Sequence, residues 1–228
     1  AVPLPAALLT GLAAGCVCGT LNGLFISIGR LPPFIATLGM MSVARGAALM
    51  FTDGRPVSGF SDSFRQIATG EILHLRFPVI IMAATYVAAH FLLTRTKLGR
   101  YAYAIGGNEA ATVLSGVNVK LYKTVVYSLA GMLSGLAAVI LTARLNSAQP
   151  IAGIMYELDA IAATVIGGTS LMGGEGTVVG TLIGALIIGV LKNGLNLLEI
   201  SSFTQQVVIG SVIIFAVLLD MALKRNKE

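Results

Sequence analysis

Charged residues are scarce in this sequence: they make up 11% of its 228 residues, whereas hydrophobic residues make up 56%. Soluble domains carry roughly 25% charged residues. The chain therefore lacks the polar side chains that a soluble surface needs, and its composition indicates a polytopic membrane protein surrounded by lipid. The net charge of +5 falls in loops and in the tail, where orientation in the membrane explains it better than nucleic acid does.

Metal-ligating and nucleophilic residues are also few. Cys16 and Cys18 are the only cysteines, and the histidines, His74 and His90, lie far apart, so we predict no metal site. The sequence contains no phosphate-binding loop of the GxxxxGK[ST] type. It also shows no Ser/His/Asp arrangement and no paired carboxylates. We therefore expect no catalytic residues and no cofactor bound by this chain itself.

Long apolar runs are abundant. A helical bilayer crossing takes about 20 apolar residues, and six runs approach that length, at residues 5–28, 34–51, 79–93, 124–142, 177–191 and 206–219. A shorter seventh run, 157–169, leads into the glycine-rich turn GGTSLMGGEG. These runs predict an all-α polytopic membrane helix bundle of about seven membrane segments, one of them a short broken or re-entrant helix.

The distribution of charge predicts the orientation. Residues 94–123 carry five basic side chains against one acidic side chain, and the tail carries Lys224, Arg225 and Lys227. Both segments belong on the cytoplasmic side, so an even number of crossings must separate them and the short run must enter the membrane. Residue 1 then lies outside, and the charge-balanced loop 52–76 is external. Because the chain opens directly in a span without a basic leader, we expect an N-terminal portion to be missing.

Glycines recur every four residues in two places. Such stripes of small residues let helix backbones approach closely in lipid. The predicted helix-packing positions are Gly11, Gly15, Gly19 and Gly23 in the first run, and Gly176, Gly180 and Gly184 near the fifth long run.

The basic segment before the fourth run contains a short helix pattern. Asn108 can cap its start, Ala110, Ala111 and Leu114 favour helix, and Gly116 can end it in the left-handed conformation. A short capped helix in a cytoplasmic loop is what a membrane subunit needs for contact with a soluble motor protein.

The glycine-rich turn allows two interpretations. It can border a solute path near the cytoplasmic side, because broken helices expose backbone groups that must face water or protein. It can equally be a tight connection. The candidate residues of such a path are Gly168, Thr169, Ser170, Gly173 and Gly174.

Acidic residues mark the start of the short run. Glu157 and Asp159 can complement the positive N-terminal end of a helix, or they can contact an external partner. The longer runs hold no acidic residue well inside, whereas an ion-coupled transporter usually needs one.

Several long motifs resemble permease subunits of ribose-type sugar ABC importers. They are LPPFIATLGMMSVARG, TKLGRYAYAIGGNEAATVLSGVNV, YELDAIAATVIGGTSLMGGEGTVVGTLIGALIIGVLKNGLNLL and the closing AVLLD. The resemblance implies a single transmembrane permease domain over residues 1–228, with a coupling loop at 94–123, in a bacterial inner membrane. Members of that family carry additional N-terminal spans, so the chain resembles a fragment.

The resemblance also implies partners. They are a cytoplasmic ATPase that binds ATP and Mg²⁺, an extracytoplasmic binding protein that delivers a monosaccharide such as ribose, and a second permease copy in a homodimer or a permease pair. By position in the loop, GGNEAATVLSG matches the family's coupling segment. The implied ATPase-coupling residues are Gly107, Asn108, Glu109, Ala110, Ala111, Leu114 and Gly116. The alternative function is an ion-coupled secondary transporter of a small polar solute.

Overall fold

The computed structural model describes residues 4–72 and 74–225, with side chains described up to residue 218. Ten α-helices occupy most of this part of the chain. They are α1 (Leu4–Ser27), α2 (Pro33–Thr52), α3 (Asp62–Thr69), α4 (Phe77–Arg95), α5 (Lys97–Gly107), α6 (Glu109–Leu114), α7 (Val119–Leu145), α8 (Tyr156–Ile166), α9 (Val178–Leu197) and α10 (Ser202–Arg225). The described strands, β1 (Val57–Ser58), β2 (Glu71–Ile72), β3 (Leu75–Arg76) and β4 (Ser147–Ala148), form two antiparallel pairs, β1–β4 and β2–β3.

The long helices follow the apolar runs. Within the described residues, α1, α2, α4, α7 and α9 are long and apolar enough to cross a membrane, and Ser202–Leu218 of α10 is a shorter apolar stretch. The 11-residue α8 occupies the place of the predicted short segment. The prediction of an all-α polytopic helix bundle is confirmed.

Two helices lie where the sequence predicted loops. α3 falls in the predicted external loop, with Phe64 and Ala68 buried on one face. α5 falls in the basic segment and begins after Thr96, whose Oγ1 accepts a hydrogen bond from the backbone N–H of Gly99 at 3.4 Å. Both helices are too short and too polar to produce an apolar run, so a search for membrane-length segments does not find them.

The chain divides into two compact units. The first contains Ala1–Thr85 and Val113–Ala152, and the second contains Tyr86–Thr112 and Gly153–Glu228. Two of the three divisions fall within α4 and α6, and the third falls between β4 and α8. The single permease domain over residues 1–228 stays a prediction.

In the first unit, glycines bring α1 against α7. A Cβ built at Gly15 would collide with the carbonyl oxygen of Gly131, and one at Gly19 would collide with the carbonyl oxygen of Tyr127. Gly11 and Gly23 likewise lie against α7. The four predicted packing glycines of α1 thus all lie at one helix contact, where the backbones are too close for larger side chains.

Hydroxyl groups join the same two helices. Thr20 Oγ1 and Ser128 Oγ are 2.8 Å apart, and Ser27 Oγ and Thr124 Oγ1 are 3.0 Å apart. Hydrogen bonds between membrane helices contribute about 0.6 kcal/mol each. They therefore add to a contact whose main source is close packing.

A small apolar core lies where α3 covers α7. Phe64 and Ala68 of α3 form a cluster with Val139 and Ala143 of α7. Because α3 is amphipathic, it buries this face while its polar face stays exposed. The predicted external loop is therefore an ordered cover over the ends of the membrane helices.

In the second unit, α8 packs along α9. A Cβ built at Gly184 would collide with the carbonyl oxygen of Ala163, and one at Gly180 would collide with that of Gly167. These two glycines allow the short helix to lie directly against the long one.

Gly176 differs from the predicted stripe. α9 begins only at Val178, so Gly176 precedes the helix and cannot continue its four-residue spacing. Its φ is +151°, and a Cβ there would lie 2.7 Å from Thr169 Oγ1. This glycine is required by the turn and does not contribute to helix packing.

Candidate coupling helix and membrane cleft

The short helix α6 has defined ends. Asn108 precedes it, and Asn108 Oδ1 accepts a hydrogen bond from the backbone N–H of Ala111 at 2.9 Å. Gly116 follows it with a φ of +80°, a left-handed conformation that a Cβ would disfavour. The two capping residues that the sequence predicted, Asn108 and Gly116, therefore lie at the beginning and end of α6.

Most residues of α6 are exposed to solvent. Thr112 is buried, and its Oγ1 donates to the carbonyl of Asn108 at 2.8 Å. Leu114 is 88% exposed and Val113 is 52% exposed, and Glu109 lies exposed in the first turn. The remaining candidate residues are exposed as well: Gly107, Ala110, Ala111 and Gly116. Apolar side chains beside a carboxylate on a short rigid helix suit insertion into a groove of a soluble protein. The ATPase contact of these residues stays a prediction.

The glycine-rich turn at 167–176 folds on itself. The backbone N–H of Ser170 donates to the carbonyl of Glu175 at 3.0 Å, and that of Gly173 donates to the carbonyl of Ser170 at 3.2 Å. Ser170 Oγ accepts from the N–H of Met172 at 3.2 Å, and Ser170 is only 8% exposed. The turn closes through glycines with positive φ, namely Gly168, Gly173, Gly174 and Gly176.

This turn also packs against α5. The hydroxyl of Tyr103 donates to the carbonyl of Gly176 at 2.7 Å. A Cβ built at Gly106 would collide with the backbone of Gly174, and one at Gly174 would lie 2.8 Å from the Cα of Gly107. The turn therefore supports the helix that leads directly into α6. A role in a solute path for the five residues predicted there stays a prediction.

An ion pair that the sequence analysis did not predict joins α8 to α9. Lys192 Nζ donates to Asp159 Oδ2, with the two side chains 34% and 21% exposed. The same Nζ lies 5.9 Å from the centre of the Tyr156 ring, within cation–π range. Asp159, Lys192 and Gln206 border a cavity of about 70 Å³. In the sequence, Lys192 was the signal for this ion pair, because a lone cation in an apolar helix needs a partner.

A cleft lies between α2 and the α1–α7 pair in the first unit. Two cavities of about 820 and 460 Å³ share Gly15, Cys18, Ala44 and Ser134 among their lining residues and so form one cleft. Its lining is mainly apolar, and the polar side chains in it include Thr10, Asn22, Thr37, Tyr127, Ser134 and Thr142. The sequence analysis passed over Asn22, although an amide within an apolar run is a signal of the same kind as Lys192.

Membrane-length helices, an exposed capped helix between them and a mainly apolar cleft with a few polar side chains together indicate a polytopic membrane permease. The profile of the family described as "Branched-chain amino acid transport system / permease component" matches residues 1–217, and the chain belongs to this family. It is therefore an integral membrane protein and a transport component, as the sequence resemblance implied.

The chain is also similar to individual named proteins. The chain is 52% identical over 220 residues to the ribose import permease protein RbsC of Haemophilus influenzae, covering 95% of this chain and 68% of that protein. The protein of the same name from Escherichia coli K12 is 53% identical over 218 residues, with 94% and 68% covered. That of Bacillus subtilis is 56% identical over 201 residues, with 87% and 62% covered. No solved structure matches the chain.

Proposed function

We propose that this permease forms the translocation path for a monosaccharide, with ribose the first candidate, in an ATP-driven ABC importer. The observation that carries the proposal is the 52% to 56% identity to ribose import permease proteins over most of the chain.

The proposal assigns ATP hydrolysis to a cytoplasmic ATPase, which binds ATP and Mg²⁺. The sequence of the permease contains no phosphate-binding loop. The exposed α6 is the proposed docking element, because a rigid helix seated in a groove can transmit closure of an ATPase as a rigid-body movement. An extracytoplasmic binding protein delivers the sugar, and a second permease copy completes the path.

The ion-coupled alternative needs an available carboxylate at membrane depth. Among the side chains that the structure describes, Asp159 comes closest to that description, and it is already paired with Lys192. The pair favours a structural role for this carboxylate over a cation site.

Reconstitution tests the proposal directly. Liposomes would contain the permease with its ATPase, and the ribose-binding protein of the same organism would be added outside. We expect ribose uptake that requires ATP, stops when the phosphate-loop lysine of the ATPase is replaced, and continues when ionophores abolish proton and sodium gradients. Uptake that survives loss of the ATPase but stops with ionophores would instead support the ion-coupled transporter.

A further inference from the structure

We infer that the glycine-rich turn between α8 and α9 carries a second docking contact for the ATPase, formed by the exposed side chains of Leu171 and Met172, here called the apolar tip. The inference rests on the proposed function, which seats an ATPase on α6. It gives the turn a role other than a solute path, and it adds to the interface two residues outside the coupling segment.

The small size of α6 calls for a further contact. A stable protein–protein interface takes about 800 Å² and about 20–30 residues from each partner. α6 has six residues, and one of them, Thr112, is buried. Most of an ATPase interface must therefore come from exposed surface next to α6.

The turn supplies such surface at the place where α6 begins. A Cβ built at Gly174 would lie 2.8 Å from the Cα of Gly107. Gly107 directly precedes Asn108, the residue that caps α6. Met172 lies two residues before Gly174. The apolar tip and the start of α6 therefore flank one backbone contact, and a protein seated on α6 reaches both.

The burial of side chains in the turn favours a protein contact over a solute contact. Met172 is 89% exposed and Leu171 is 58% exposed, whereas Ser170 is buried. The hydroxyl oxygen of Ser170 accepts a hydrogen bond from the backbone N–H of Met172. Adjacent exposed apolar side chains indicate an interaction surface, and they offer a sugar hydroxyl no hydrogen-bond partner.

Charged neighbours indicate that this surface faces water and not lipid. Glu175 of the same turn is exposed, and so are Lys97 and Arg100 of α5, the helix to which the turn is joined by the hydrogen bond from Tyr103 to Gly176. Exposed charges at this density are costly in hydrocarbon. The basic segment that contains α5 is predicted to be cytoplasmic, so the partner of the apolar tip is a cytoplasmic protein.

The apolar tip is ordered before any partner binds. The backbone N–H of Ser170 donates to the carbonyl of Glu175 at 3.0 Å and closes the loop around the tip. A preorganised contact loses little conformational freedom on docking, and the flexible thioether of a methionine adapts to an apolar pocket. Because the turn runs directly into α9, closure of the ATPase would act on the α8–α9 pair as well as on α6.

Removal of the apolar side chains tests the contact. In the double variant Leu171→Ser/Met172→Ser, we expect the affinity of the permease for its ATPase to fall at least fivefold, the effect of losing central interface side chains. Ribose uptake should fall with it. Thermal stability in detergent should not change, because both side chains are exposed. The measurement is titration of the purified ATPase onto the permease in nanodiscs.

A matched control lies at the other end of α9. Leu197 and Leu198 are 77% and 72% exposed, so Leu197→Ser/Leu198→Ser makes the equivalent change away from α6. This control should bind the ATPase within twofold of the unchanged protein.

Two results with the tip variant would overturn the inference. ATPase affinity within twofold of the unchanged protein would mean that the tip does not touch the ATPase. A loss of thermal stability would mean that the tip packs within the permease or against a second copy of it.

Protection of a cysteine provides an independent test. In a background with Cys16→Ala and Cys18→Ala, Met172→Cys should react with a hydrophilic maleimide. The ATPase, at twice its dissociation constant, should slow this reaction about threefold by mass action. Leu198→Cys should react equally fast with and without the ATPase.

The outcomes separate the inference from the proposed function. A Met172→Cys variant that is unreactive in the permease alone would mean that lipid or a second copy covers the tip. One that stays unprotected while the ATPase is bound would mean that the ATPase lies elsewhere, and either result overturns the inference alone. Failure of the unchanged permease to bind the ATPase would contradict the proposed function itself.

Discussion

Glu109 is the single acidic residue of the basic segment at 94–123 and lies in the first turn of α6. We expect Glu109→Lys to weaken ATPase docking by about 1–2 kcal/mol, roughly five- to thirtyfold in affinity, because it places a cation where the groove is expected to be basic. Uptake should fall while sugar binding by the extracytoplasmic protein stays unchanged. The measurement is co-purification of the ATPase together with uptake, with Glu109→Gln as the control of similar shape. Normal values of both for Glu109→Lys would remove Glu109 from the interface.

The pair of Asp159 and Lys192 makes a second prediction at the scale of single residues. Asp159→Asn leaves the ammonium group without its counter-charge and should lower the free energy of unfolding by about 1–2 kcal/mol, less than for a fully buried pair. The smaller value follows from side chains that are 34% and 21% exposed. Adding Lys192→Met should recover most of the loss. Thermal unfolding in detergent measures both, and equal stability of all three proteins would show that the pair contributes nothing.

At the scale of helices, the contact of α8 with α9 depends on glycines, which have no side chain to separate the two backbones. Gly184→Leu should force these helices apart and destabilise the protein by about 3 kcal/mol. Gly189→Leu makes the same change on the same helix, at a position where a Cβ would meet nothing within 4 Å, and should leave stability nearly unchanged. Detergent thermal unfolding of the two variants is the comparison. Similar losses would argue against close packing at Gly184.

The helices also show what a sequence can predict. Uniform apolar runs were enough to locate α1, α2, α4, α7 and α9, because lipid requires a long apolar segment. Amphipathic α3 and polar α5 escaped notice, since neither is long or apolar. The partner of Lys192 lies 33 residues away in sequence. That pairing depends on how α8 packs on α9, and periodicity along one helix does not encode it.

The candidate site likewise has features that neighbouring residues determine and features that helix packing determines. Asn108 and Gly116 cap α6 through their immediate neighbours in sequence, so the sequence alone predicted where the helix begins and ends. The cleft depends on the separation of α2 from α7, a property of helix packing. Asn22 was visible as a lone amide, but its buried Oδ1, which has no hydrogen-bond partner among the described residues, becomes apparent only when its surroundings are known.

For the whole molecule, the distribution of charge predicts an orientation that labelling can measure. In a background with Cys16→Ala and Cys18→Ala, a cysteine at Ala110 should react with an impermeant thiol reagent only from the cytoplasm, and one at Ser63 only from outside. Both positions are exposed. The reverse pattern would place α6 outside and remove the basis for ATPase coupling.

The contact between α5 and the glycine-rich turn has a consequence for the exchange of parts between transporters. At Gly106 and Gly174 one backbone lies against another, with no room for a side chain on either. Tyr103 adds its hydrogen bond to the carbonyl of Gly176. A chimera that received α6 from another permease would keep its support only if α5 and the turn came from the same donor. Transplanting recognition of a different ATPase therefore requires moving these three segments as one block.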